Sequence, residues 1–178
     1  MGSYAGNFNG TDDYILTSLN QNFGVTSFSV GAIISAKKYG NQVSDRMGIF
    51  GNQYFQTGPD ANFRYVGSSV SGFLETEVID SSNVVKNLST PNNYMGGFEN
   101  SWVQIFVTVD RTSNTETFYF DGAPMSSGSL GTLGSIGPFR AKIGTLGSYY
   151  FNGLIDDVRV YDRALSAAEV AALYNATR

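Results

Sequence analysis

The sequence predicts an all-β fold: two antiparallel sheets packed as a sandwich, with a short C-terminal helix. Three observations predict it. Aromatic residues (14%) are almost as common as charged ones (15%), and 21 glycines punctuate the 178 residues, the composition of strands joined by tight turns. Extended apolar runs recur at short intervals, with turn pairs such as Asn9-Gly10 and Asp121-Gly122 beside them. Strands do not alternate with helices, which argues against a parallel βαβ sheet. The length fits a single domain over residues 1–178, large enough to bury its own core.

Each element has its own warrant. Asp13-Tyr14-Ile15-Leu16 follows the Asn9-Gly10 turn. Phe28 to Ile34 alternates as a half-buried strand does; Gly48 to Phe50 and Asn62 to Val66 are shorter candidates, and Phe73 to Ile79 follows. Trp102 to Val109 is the clearest strand. Trp102, Gln104, Phe106 and Thr108 fall on one face, and Val103, Ile105, Val107 and Val109 on the other. Glu116 to Phe120 and Ala123 to Met125 flank Asp121-Gly122, a strong hairpin signal because a type I′ turn needs positive φ at both central residues. Ala141 to Gly144 and Leu154 to Tyr161 are the last strands. The helix start is marked by the capping box Ser166/Glu169 and the staple Leu165/Val170; Val170, Leu173 and Tyr174 share the face that docks on the sandwich. The connections 51–62 and 81–99 are long for hairpins and are candidate binding loops, whereas the Gly- and Ser-rich stretch 125–137 reads as a flexible loop.

Composition also bounds function. With no cysteine and no histidine, Ser-His-Asp and Cys-His catalysis, disulfides and thiolate metal sites are excluded. Any metal would need oxygen ligands, which favours calcium or magnesium. A net charge of -4 sets nucleic acid against electrostatic repulsion. No apolar run is long enough to span a membrane, and no basic region followed by an apolar core, the mark of a signal peptide, is visible at the N-terminus.

Three segments carry a family resemblance. Tyr150-Phe151-Asn152-Gly153-Leu154-Ile155-Asp156-Asp157-Val158-Arg159-Val160-Tyr161-Asp162-Arg163-Ala164-Leu165-Ser166 resembles the signature F-x-G-x-I-D-D/E-V-R-I-Y-N-R-A-L-S, and Ala172-Leu173-Tyr174 continues it. Phe8-Asn9-Gly10-Thr11-Asp12-Asp13-Tyr14-Ile15 is similar to F-D-G-x-D-D-Y-V. Trp102 to Asp110 with Phe118-Tyr119-Phe120-Asp121-Gly122 is similar to W-H-H-V-A-V-T-Y-D followed by L-Y-V-D-G, with Val103 and Gln104 replacing the histidines. Together they resemble the laminin G-like group of the concanavalin A-like lectin/glucanase superfamily. The resemblance implies a jelly roll with its first and last strands adjacent, and a non-catalytic module of extracellular, bacterial-surface or phage proteins.

Candidate sites follow. Glu75-x-Glu77-x-x-Asp80 has the spacing of the E-x-D-x-x-E catalytic run in glucanases of this superfamily, but the acid types are exchanged, Asp80 is shorter than the expected glutamate, and no tryptophan flanks the run. The expectation is exposed strand carboxylates, a turn aspartate and no catalysis. The resemblance to those glucanases implies a structural calcium held by Asp156, with Gly10 and Asp12 beside it. Arg159, between Asp157 and Tyr161, reads as a surface ion pair with a neighbouring strand. Flat rings beside amides suit glycan binding: Tyr149-Tyr150 beside Asn152, Tyr54-Phe55 beside Gln53, and Asn92-Asn93-Tyr94. The leading expectation is a lectin-like glycan- or cell-surface polysaccharide-binding module, extracellular or on a virion surface. The alternative is a virion decoration or tail component, acting through self-association or contacts with other virion proteins.

Overall fold

The structure is a computed structural model that describes residues 5–37, 45–52, 58–67, 72–91, 95 and 97–177. In chain order the strands are β1 (Gly6–Asn9), β2 (Ile15–Gln21), β3 (Phe28–Ala36), β4 (Asp45–Gly51), β5 (Asp60–Gly67), β6 (Gly72–Ile79) and β7 (Val85–Ser89). They continue with β8 (Val103–Asp110), β9 (Thr115–Phe120), β10 (Ala123–Ser129), β11 (Phe139–Ile143), β12 (Thr145–Leu146), β13 (Tyr149–Tyr150) and β14 (Asn152–Tyr161), and helix α1 (Ala167–Ala176) follows. The first sheet has the order β1-β14-β3-β8-β9-β10 and the second β2-β11-β4-β5-β6-β7, each six-stranded and antiparallel. This is a jelly-roll sandwich. Its first and last strands are neighbours, with Gly6 opposite Ile155 and Asn9 opposite Asn152.

The core lies between the sheets. Val30, Ala32 and Ile34 of β3 and Val103, Ile105, Val107 and Val109 of β8 face it from one side, and Met47, Ile49, Phe63, Tyr65, Leu74 and Val78 from the other. Phe63 and Phe118 meet across the interface with ring centroids 5.4 Å apart. One polar pair interrupts this core. Glu116 of β9 is 3% exposed and accepts a hydrogen bond from the Thr76 hydroxyl of β6, in the opposite sheet, at 2.5 Å.

The outer face of the first sheet is also covered. All nine residues of β3 are buried, so both faces of the strand are covered. Phe106, Tyr119, Leu165 and Val170 form this second core, with Tyr161 and Leu173 at its margin. Gly31 makes room for the Phe106 ring of its pairing partner in β8: a Cβ there would sit 2.2 Å from it. The Ser29 hydroxyl donates to Arg163 O and accepts from Leu165 N–H, both at 2.9 Å, tying β3 to the segment that enters the helix. The capping box forms as its spacing predicts, with Ser166 as N-cap.

Several strands were not legible. β1 and the short β12–β13 hairpin are too brief to show a period, and β7 alternates exposed and half-exposed positions at a polar edge. The stretch 125–137 is not a loose loop. β10 runs on to Ser129, its Ser126 and Ser127 hydroxyls donate to the carbonyls of Ser89 and Glu116, and Leu130 and Ile136 are fully buried.

Two predictions follow from this packing. Gly31→Ala forces a methyl into the Phe106 ring, so denaturant unfolding should show a loss of about 1–3 kcal/mol. Burial pushes the Glu116 carboxyl up from its ordinary 4.5 to about 7, against the Thr76 hydrogen bond, which lowers it. The folded-state value is raised, so its stabilising contribution is complete below pH 4.5 and is lost as pH rises to about 7, on the order of 3 kcal/mol in all. Glu116→Gln should flatten that part of the stability–pH curve and raise Tm at pH 8.

Candidate functional site

The carboxylates that resemble a catalytic run lie on the outer face of the second sheet. Register places Glu75 opposite Arg64 and Glu77 opposite Asn62. Arg64 Nη2 stands 2.9 Å from Glu75 Oε2 and 3.5 Å from Glu77 Oε2, and Asn62 Nδ2 donates to Glu77 Oε1 at 3.4 Å. The side chains of Arg64, Glu75 and Glu77 are 3%, 17% and 6% exposed, so these carboxylates are not the exposed pair that the sequence suggested. A guanidinium fills the space between them, where a glycosidic oxygen would have to enter.

Asp80 belongs to a different structure. It closes the β6–β7 turn: Oδ1 accepts from the Ser82 and Val84 amides at 2.8 Å, and Oδ2 from the Gly134 amide at 2.6 Å. Burial alone would push this carboxyl up, but the amides of Val84, Gly134 and Ser82, with Arg111 nearby, hold it below its ordinary value. It is therefore an ionised turn clamp with no proton to donate at neutral pH. Arg111 secures the same corner by donating to the carbonyls of Leu133 and Gly134.

The residues expected to hold calcium do not converge. Asn9 pairs with Asn152, so Gly10 and Asp12 lie beyond that end of β14. Asp156 lies at the other end of the pairing, about 13 Å from Asn152 at about 3.3 Å per residue. The Asn9 side chain organises the opening loop instead: Oδ1 accepts from the amides of Thr11 and Asp12, and Nδ2 donates to Asp12 Oδ1 at 2.8 Å. Asp156 Oδ1 accepts from Asp157 N–H at 2.8 Å. No group of three or more carboxylates suited to a metal occurs among the described residues. The β1–β14 register thus pairs Asn9, and not Asp12, with the end of β14 away from Asp156.

Arg159 pairs within its own strand rather than across to a neighbour. A bulge between Asp156 and Arg159, with Asp157 at φ 50, brings Asp157 Oδ2 to 2.7 Å from Arg159 Nη2.

Of the candidate glycan residues, Tyr54 and Tyr94 lie outside the described residues, as do Gln53, Phe55, Asn92 and Asn93. Tyr149 and Tyr150 form β13, whose hairpin with β12 rests on β4; Gly48 leaves room for it, since a Cβ there would sit 2.3 Å from Leu146 N. Adjacent strand residues point to opposite sides, so the two rings do not form one platform. Asn152 opens β14, and its N–H donates to Met47 Sδ at 3.3 Å.

The structure shows a cleft that the sequence reading did not assign. It measures about 180 Å3 and lies on the outer face of the first sheet, beside the end of α1. Trp102 enters just before β8, and Gln104 and Ile33 are opposed on the sheet floor. The Gln104 N–H donates to Asp121 Oδ1, and the Asp121 N–H donates to Gln104 O, both at 2.8 Å. The turn takes the predicted conformation, with φ 48 at Asp121 and 79 at Gly122. Gly122 admits the helix: a Cβ there would lie 2.9 Å from Tyr174 Cβ. Thr177, the C-cap, donates its hydroxyl to Tyr174 O at 2.9 Å and completes the wall. Gln104 is 5% exposed, and its Oε1 makes no hydrogen bond. The one available sequence signal was Gln104 itself, a polar residue on an apolar strand face where the family pattern has histidine.

Known proteins match this fold. A family model described as the concanavalin A-like lectin/glucanases superfamily, of laminin G type, matches residues 9–171. The adhesion G-protein coupled receptor V1 of Danio rerio is 27% identical over 113 residues, covering 61% of this chain and 2% of the receptor. The binding domain of Paraclostridial Mosquitocidal Protein 1 superposes with a TM-score of 0.73 at 18% identity, covering 96% of this chain and 43% of that one. The receptor binding domain of botulinum neurotoxin D gives 0.72 at 14% identity, covering 99% and 46%. The chain thus spans less than half of these binding domains and a small fraction of the receptor. The match over residues 9–171, carried on a jelly roll with adjacent first and last strands, places the chain in the laminin G-like group of the concanavalin A-like lectin/glucanase superfamily.

Proposed function

We propose that this chain is a non-catalytic, lectin-like module that binds glycan on an extracellular or cell-surface partner. Its superfamily holds both lectins and glucanases, and one observation separates the two: Arg64 stands between Glu75 and Glu77 in a buried network. A retaining glycosidase needs two accessible carboxyls about 5–5.5 Å apart with the sugar between them. Here the cation takes that place, and the third acid, Asp80, is held ionised in a turn. The solved structures with this fold include domains named for binding and receptor binding, which supports the same reading. No helix among the described residues is long and apolar enough to cross a membrane. No observation on the fold favours the virion assembly role.

A glycan array, run with calcium and again with EDTA, tests this directly. Selective binding to a subset of glycans is expected in both conditions, with no reducing ends released from β-glucans. Hydrolysis that disappears in Glu75→Gln would overturn the non-catalytic reading. Because the Asp156, Gly10 and Asp12 set does not converge, EDTA should leave Tm unchanged; a drop of several degrees would show a metal site built from other residues.

A further inference from the structure

We infer that the cleft between Trp102 and the end of α1 is the ligand site of this module, and that it takes one neutral pyranose ring presenting hydroxyl groups. The inference rests on the glycan-binding reading and gives it a location and a chemistry.

Three features argue for a ligand. First, Gln104 carries a buried carbonyl oxygen with no partner, which costs about 1–3 kcal/mol unless something donates to it. Among the described residues with such a buried atom, Gln104 is the one that lines this cleft. Second, Asp121 uses Oδ1 to accept from Gln104 N–H, while its Oδ2 makes no hydrogen bond among the described residues. Both residues line the cleft, and two acceptors there suit a ligand with neighbouring donors, as adjacent sugar hydroxyls provide. Third, Trp102 lines the same cleft. The face of an indole is electron-rich and meets the weakly positive C–H face of a sugar ring.

Size and charge narrow the class. About 180 Å3 is below the 300–1,000 Å3 of sites for drug-sized ligands, so one ring fits and a long chain must extend outward. The Asp121 carboxylate repels an anionic ligand, so uronic and sialic acids are disfavoured against neutral hexoses. The parts are held before any ligand arrives: the reciprocal Gln104–Asp121 backbone pairing fixes the turn, and Gly122 seats Tyr174 against it.

Trp102 is the sole tryptophan of the chain, so its emission reports on this cleft alone. Titration with a neutral glycan selected on the array should change Trp102 emission saturably. The matching uronic acid should bind about tenfold more weakly at low salt. Gln104→Met removes the acceptor but keeps the bulk. It should weaken binding about tenfold while leaving Tm equal or higher, because a buried unpaired carbonyl is lost. A purely structural Gln104 would instead lower Tm. Asp121→Asn keeps the turn acceptor and should narrow the gap between neutral and acidic sugars. Array binding with constant Trp102 emission and unchanged affinity in Gln104→Met would overturn the cleft and leave the lectin reading standing. Silence on the array and in the titration would overturn both.

Discussion

The architecture depends on the burial of β3 on both faces. A strand covered on one side needs only the opposite sheet; β3 also needs cover over Ser29, Gly31 and Ile33, which face away from it. The Phe106 ring of β8 lies over Gly31, the segment entering the helix is tied to Ser29 through Leu165, and Val170 of α1 packs with Phe106 on the same face. The helix has to end somewhere on that face. The cleft lies where it ends, lined by Tyr174 and Thr177 with Ile33 and Gln104 of the sheet.

The two outer faces of the sandwich carry different polar groups. On the second sheet, Arg64, Glu75, Glu77 and Asn62 bind one another. Buried ion pairs of this kind contribute little net stability, but breaking one leaves an uncompensated charge, which disfavours change at any member. Charges consumed in this way are unavailable to substrate. On the first sheet, Gln104 and Asp121 hydrogen-bond through their backbones and the Asp121 carboxylate, and both residues line the cleft.

Much of the fold was legible because its signals are local. The Asp121-Gly122 turn, the capping box at Ser166 and the two-faced strand at Trp102 each need only a few residues to specify them, and each formed as read. β7 and β12–β13 were not legible, because polar edge strands and two-residue strands owe their existence to a neighbour rather than to a period. The site was less legible still. Asp80 was legible as a turn residue, which it is, but the burial of Glu75 and Glu77 against Arg64 was not. The family pattern suggested Asp156 beside Gly10 and Asp12, but the β1–β14 register sets them apart. The cleft joins residues from β3, β8, the β9–β10 turn and α1, a set that no linear motif contains.

The proposed recognition site lies on the helix-covered sheet, at the Trp102 cleft. Chemical-shift mapping of the isotope-labelled protein with its preferred glycan tests it most directly. The account predicts perturbations of the Trp102 indole N–H, the Gln104 side-chain amide and the backbone around Asp121 and Tyr174, with the second sheet silent. Perturbations centred on Tyr149 and Tyr150 of the β12–β13 hairpin, with the Trp102 indole unmoved, would contradict it and move the site to the opposite face of the sandwich.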